Sequence, residues 1–250
     1  PESFVETLLG DDPEVILESL TEAIRAGATQ TQLANAVARA ATHRIAYFGT
    51  SNEFADWDTA HHTLSYANAV HRATAKTNGI ELYRACFDGA MSVYLDRFLN
   101  TPAAPVPQPG DSETSRSPTQ IREDLQACFD EQGRVNRAGQ LVDEHFEVGG
   151  DPAELKRVLG HDLLREDADF HTIQNVEAGV QRFDAVDQTS AASTSQPSAD
   201  GDKKNEHERR LALIAPARYL AAHTPTRREA EQTFGIATRL HRGERLHETE

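Results

Sequence analysis

Residues 12–46, DPEVILESLTEAIRAGATQTQLANAVARAATHRIA, decide the fold. Asp12-Pro13 is an N-cap followed by the proline that the first turn of a helix prefers. Val15, Ile16, Leu20 and Ile24 then recur at helical spacing, which carries an amphipathic helix to about Ala26, where Gly27 ends it. Thr29 and Gln32 make a capping box in front of Leu33, Val37, Ala40 and Ile45. A second helix therefore packs closely on the first through a short turn.

The same reading extends outward. A third helix is predicted from about Ala55 to Ala75 and a fourth from Ile80 to Leu99, separated by the Asn78-Gly79 break, so that four helices form one continuous bundle. From Thr101 to Pro118 the chain turns to Pro, Ser, Gly and Asp, a crossover loop too polar and too rich in proline to pack. Helical pattern resumes over 119–130 and 136–147. Asp151-Pro152, another N-cap and first-turn pair, opens a long run to about Phe183 with a kink expected near Gly160. Residues 187–206 are rich in Ser and poor in apolar side chains, which predicts a disordered linker. Two last helices follow, one through Leu211, Leu213, Ile214, Ala217 and Leu220, the other behind a Thr226/Glu229 capping box with Phe234, Ile236 and Leu240. There is no internal repeat, no β-alternation and no Gly-rich phosphate loop. The expected fold is all-α, a multi-helix bundle forming a single helical domain over 1–250 with two polar insertions, both expected to be disordered.

With 40 acidic against 25 basic residues the formal charge is −15. Nucleic acid and anionic membranes reward clustered Lys and Arg, so this balance argues against both as partners. Only four of the basic residues are lysines (Lys76, Lys156, Lys203, Lys204), a bias that suggests a salt-adapted or GC-rich source. Cys86 and Cys128 stand far apart and are read as core thiols, with neither a CxxC pair nor a zinc knuckle. No apolar run approaches the roughly 18 residues of a membrane span, and no signal core is present, so a cytoplasmic location is expected. The chain begins with Pro1, which leaves room for an upstream domain.

The chemistry lies in the 11 histidines, several of them within helices whose other inward positions are apolar. Asp58 precedes His61 by three residues and His62 by four, so it shares a helix face with both. His71, ten residues beyond His61, is about 15 Å along the axis and would need a second centre. Asp167 lies four residues before His171, with Asn175 four after. Two helices, each presenting a carboxylate and an imidazole a turn apart, suit a carboxylate-bridged dinuclear iron or manganese site in a bundle. Only Asp58 with His61 keeps the usual three-residue spacing. His145, His161, Glu177 and His223 are further inward candidates, whereas His207, His241 and His247 fall in charged stretches and are read as solvated. Trp57 and Tyr66 could line a pocket or simply belong to the core. Arg44, Arg84 and Arg97 could bind a substrate carboxylate or form interhelical salt bridges. No GxSxG elbow or cysteine-nucleophile signature supports hydrolysis. The expected metal ligands are drawn from Asp58, His61, His62, His71, Asp167, His171, Glu177 and His223; the metal is a transition ion, iron first, with a small-molecule substrate.

FADWDTAHHTLSYANAVHRA (54–73), FDGAMSVYLDRFLN (87–100), LLREDADFHTIQNVEAGVQ (163–181) and ARYLAAHTPTRREAEQTFGIATRLHRG (217–243) resemble a poorly characterised His-rich helical region of bacterial and archaeal proteins labelled as Rieske-type iron–sulfur proteins. A Rieske cluster needs Cys-x-His pairs, and this sequence has none, so the resemblance implies that the cluster sits on another domain or a partner protein. Where that family has a further His, this chain has Gly49. The resemblance implies a redox setting with the helical part as the oxidase- or oxygenase-like portion, carried by His61, His62, His71, His171, Glu177 and His223. Together these readings predict a metal-dependent oxidoreductase. The alternative is a non-catalytic helical interaction or scaffold protein whose core histidines are structural or sense pH.

Overall fold

The computed structural model describes residues 2–107, 115–192 and 199–244, with side chains at 2, 3, 187–192, 199, 200 and 202 left undescribed. Among the described residues there are eleven helices and no strand: α1 (Glu2–Leu8), α2 (Pro13–Arg25), α3 (Gln30–Ala46), α4 (Phe54–Thr74), α5 (Ile80–Asp96), α6 (Pro118–Cys128), α7 (Val135–Glu147), α8 (Pro152–Arg165), α9 (Phe170–Ala192), α10 (Ala199–His223) and α11 (Glu229–His241). The fold is the expected all-α bundle.

Local chemistry sets the helix starts. Asp12 accepts from the Glu14 and Val15 amides at 2.9 and 3.3 Å. Thr29 and Gln32 cap α3 reciprocally, as do Ser117 and Gln120 on α6 behind Pro118. Asp151 takes the Ala153 amide at 2.9 Å. Each such cap satisfies amides that the first turn leaves without partners.

Two helices form the centre. α3 is rich in alanine along its buried face, which lets α4, α5 and α10 approach it closely. α10 is buried almost continuously from Arg210 to Ala221 and packs on α3, α7 and α9. Pro216 inside α10 removes one helical hydrogen bond, and the chain exploits the gap. Gly179 of α9 sits there so closely that a Cβ would lie 2.5 Å from Pro216 Cγ and 2.8 Å from the Ala212 carbonyl oxygen.

The structure departs from the sequence reading in several places. α1 was not anticipated; Val5 and Leu8 anchor it in the core. The run predicted from Asp151 to Phe183 is two helices, broken at Glu166–Asp169, while Gly160 lies inside α8. The break has a chemical cause. Asp169 caps α9 by accepting from the Thr172 amide at 2.9 Å, and Glu166 is held by Thr226 and Arg228. Thr226 does not cap α11: its hydroxyl donates to Glu166 at 2.7 Å, and α11 starts after Arg228, whose φ of 54° is left-handed. The polar stretch 187–206 carries helix up to Ala192 and again from Ala199, and residues 193–198 of the expected linker lie outside the described residues. In the expected crossover, 101–107 and 115–117 are irregular and 108–114 lie outside the described residues. Among the described residues no helix is long and apolar enough to cross a membrane. Cys86 and Cys128 are buried free thiols, as read.

Candidate functional site

One end of the bundle gathers polar side chains from α4, α9 and α10. His61 is fully buried on α4, and its Nδ1 meets the Asn175 side-chain amide of α9 at 3.1 Å. Because the Asn175 amide nitrogen donates to Nδ1, the proton of the neutral ring sits on Nε2, an atom buried without a hydrogen-bond partner. Burial first, and then neighbouring His171 and His62, push His61 down to about 4 against opposing contributions from Gln174 and Asp58, so it is neutral at pH 7.

A chain of contacts runs beside it. Asp169 Oδ2 lies 3.1 Å from His171 Nδ1, which requires a proton on Nδ1. His171 Nε2 in turn lies 2.9 Å from His62 Nε2, and the ring of His171 stands 5.7 Å from that of His61. Burial pulls Asp169 upward, but hydrogen bonds from Thr172 and His171 outweigh it and hold the carboxyl below its ordinary range.

The third part belongs to α10. Tyr219 donates its hydroxyl to Asp58 Oδ1 at 2.6 Å, and burial together with that carboxylate raises the phenol far above its ordinary value. The ring of His223 stacks on Tyr219 at 4.1 Å, and Nδ1 of His223 donates to the Tyr219 carbonyl at 2.7 Å. Because Nδ1 carries the proton and burial lowers the pKa of the ring, Nε2 is a bare lone pair. That buried Nε2 has no hydrogen-bond partner and lies 3.7 Å from Asp58 Oδ1, itself an acceptor. Both atoms are electron-pair donors.

Of the eight expected ligands, five meet here: Asp58, His61, His62, His171 and His223. Three do not. His71 lies deeper along α4, where Arg182 donates to its Nδ1 at 2.6 Å; burial and then that guanidinium push it down to about 4. Glu177 is exposed and pairs with Arg72 at 3.1 Å. Asp167 turns away from the cluster and accepts the Glu229 and Ala230 amides at 2.9 Å each, serving as the N-terminal cap of α11. Helical spacing to His171 could not reveal this, because the helix that would have aligned them breaks between the two. The spacing argument also missed Asp169 and Tyr219. Asp169 fell inside the single run predicted from Asp151 to Phe183, and nothing local in the sequence marks Tyr219.

Several other candidates have partners of their own. His145 is buried, with Nε2 against the Asp151 carbonyl at 3.1 Å. His161 is exposed beside Asp162. Arg44 donates to the Val93 and Leu9 carbonyls, and Arg97 lies over the Tyr94 and Phe98 rings. Among the described residues, no three His, Cys, Asp or Glu side chains stand close enough together to hold a metal ion as they are; the cluster offers its donors in pairs. No protein-family model, curated protein or solved structure matches the chain.

Proposed function

We propose that the α4–α9–α10 cluster binds a transition metal ion, iron first, and that the chain is a metal-dependent oxidoreductase of the oxidase or oxygenase kind. The observation that carries this is the bare Nε2 of His223 facing Asp58 Oδ1 at 3.7 Å. Metal–ligand bonds of about 2.0–2.2 Å put two donors on one ion within about 4 Å of each other, a limit that this pair and the His62/His171 pair both meet. Neutral imidazoles with one carboxylate form the donor set that suits iron with open positions for oxygen or substrate. His171 is pre-oriented by Asp169, the usual arrangement behind a ligating imidazole. Loading a small-molecule substrate and electrons from an iron–sulfur protein or domain would complete the reaction class, as the resemblance implies.

The test is metal analysis after anaerobic ferrous loading of purified protein. About one or two ions per chain are expected, as one or both donor pairs fill. His223→Ala should lower the retained iron. A wild-type protein that keeps no iron after desalting would overturn the reading. The rival, a helical interaction or scaffold protein with structural histidines, draws on α11. None of its residues is buried, and Phe234, Ile236 and Leu240 are exposed. Iron-free protein that captures a partner through α11 would favour it.

A further inference from the structure

An open cavity of about 480 Å³ lies at the start of α4 beside the cluster; Thr50, Asn52, Phe54, Trp57, Val135 and Ala222 supply most of its wall. Two of its wall residues border the candidate site. The Phe54 ring stands 5.1 Å from that of His223, and the Trp57 ring 6.2 Å from that of Tyr219. Ala222 directly precedes His223 in the chain. The size falls within the range of small-molecule sites, roughly 300–1,000 Å³.

Charge decides the ligand class. Among the described residues of the wall Glu53 is the one ionisable side chain, and it is exposed. One turn before Ala222, Arg218 is fully buried and gives its hydrogen bonds to neutral oxygens, Asn136 Oδ1 and the Phe48 carbonyl, both at 2.6 Å. Glu53 is solvated and Arg218 spends its donors on neutral oxygens outside the wall, so neither sign of ligand charge finds a dedicated partner among the described wall residues. Desolvating an ion against Phe54, Trp57 and Val135 is costly without a dedicated partner. Thr50 and Asn52 supply the few polar atoms.

We propose that this cavity takes a neutral, ring-sized, mainly apolar molecule carrying one hydrogen-bonding group, and presents it to His223 and Asp58. That the bound molecule serves this centre rests on the metal reading above; that the cavity binds it does not.

Benzyl alcohol, benzylamine and benzoate have similar size and differ in charge. Trp57 is the only tryptophan of the chain, so its fluorescence reports the cavity. Metal-stripped full-length protein should show a saturable change with benzyl alcohol and bind the two ions at least about tenfold more weakly, because each must shed water without a partner. Ala55→Phe, at an exposed wall position, should fill the cavity and weaken the alcohol about tenfold, with an unchanged melting curve. Equal binding of all three probes, no saturation, or an unaffected Ala55→Phe variant would overturn the cavity assignment. In cobalt-loaded protein the alcohol should shift the visible absorption of the ion, and a spectrum unchanged at saturation would overturn the link to the centre. Protein that holds the alcohol and no metal would defeat the metal reading alone, and protein that holds metal but not the alcohol would defeat the cavity assignment alone.

Discussion

Asp169 performs two tasks with one side chain: Oδ1 caps α9 through Thr172, and Oδ2 fixes the proton on His171 Nδ1. Asn is also a good N-cap, so Asp169→Asn keeps the first task and weakens the second. Metal affinity is expected to fall about 10- to 100-fold while thermal melting stays close to wild type, which a metal titration beside a calorimetric scan would show. His71 makes a pH prediction of its own. Its folded pKa of about 4 lies below the ordinary 6.5, so on acidification the unfolded chain takes a proton that the native state refuses. Stability contributed by the neutral ring is therefore complete above pH 6.5, lost as pH falls toward 4, and constant below. With the partial exposure of the ring discounted, the loss is roughly 1–2 kcal/mol. Asp96 and Asp162, raised by burial to about 6, act in the opposite direction and mask it in the wild type. Subtracting the denaturation midpoints of His71→Gln at pH 7 and pH 4.5 from those of wild type isolates the term; a variant with the same acid sensitivity as wild type would refute it.

At the scale of elements, what the sequence displayed were caps and periodicities, because these depend on neighbours a few residues away. Asp12-Pro13, Thr29/Gln32 and Ser117-Pro118 mark helix starts that the fold keeps. The break at Glu166–Asp169 was not legible, since its cause lies some 60 residues downstream, where Arg228 and the first turn of α11 claim both carboxylates. The Asp58, His61 and His62 grouping was legible for the same local reason; on α9 His171 was read with Asp167, a carboxylate the fold gives to α11, and on α10 His223 only as a single histidine. Asp167→Ala should leave the core intact and fray α11, at a cost of about 1 kcal/mol to that helix. Hydrogen exchange would then accelerate at 229–241 and stay unchanged in α3; uniform loss of protection would contradict a cap confined to α11. Gly179 offers the converse case. Its missing Cβ lets α9 meet Pro216, so Gly179→Ala is expected to destabilise the whole domain by about 1–3 kcal/mol despite the better helix propensity of alanine. An unchanged urea midpoint would show that α9 and α10 can part without cost.

For the molecule as a whole, a charge of −15 and a network of ion pairs respond to salt in opposite senses. Self-repulsion among excess carboxylates weakens the compact state and is screened within a Debye length of about 10 Å at 0.1 M. Ion pairs are screened too, but exposed ones such as Arg72 with Glu177 are each worth only about 0–1 kcal/mol. The pairs with real leverage are shielded from solvent. Arg210 is buried against Asp143 at 2.8 Å, and Arg39 and His43 both reach Glu208 at 2.9 Å. Burial acts to raise Glu208, yet His43 and Arg39 outweigh it and hold the carboxyl down at about 2, so the group stays ionised through the neutral range. Buried pairs lose little to added salt, whereas repulsion across the acidic surface loses most of its strength. The melting temperature at pH 7 should therefore rise by several degrees between about 0.02 and 1 M sodium chloride. Chloride is the informative anion because sulfate would strengthen apolar burial in any protein. A melting temperature that falls over this range would mean that the surface ion pairs, rather than the net charge, govern the stability of the bundle.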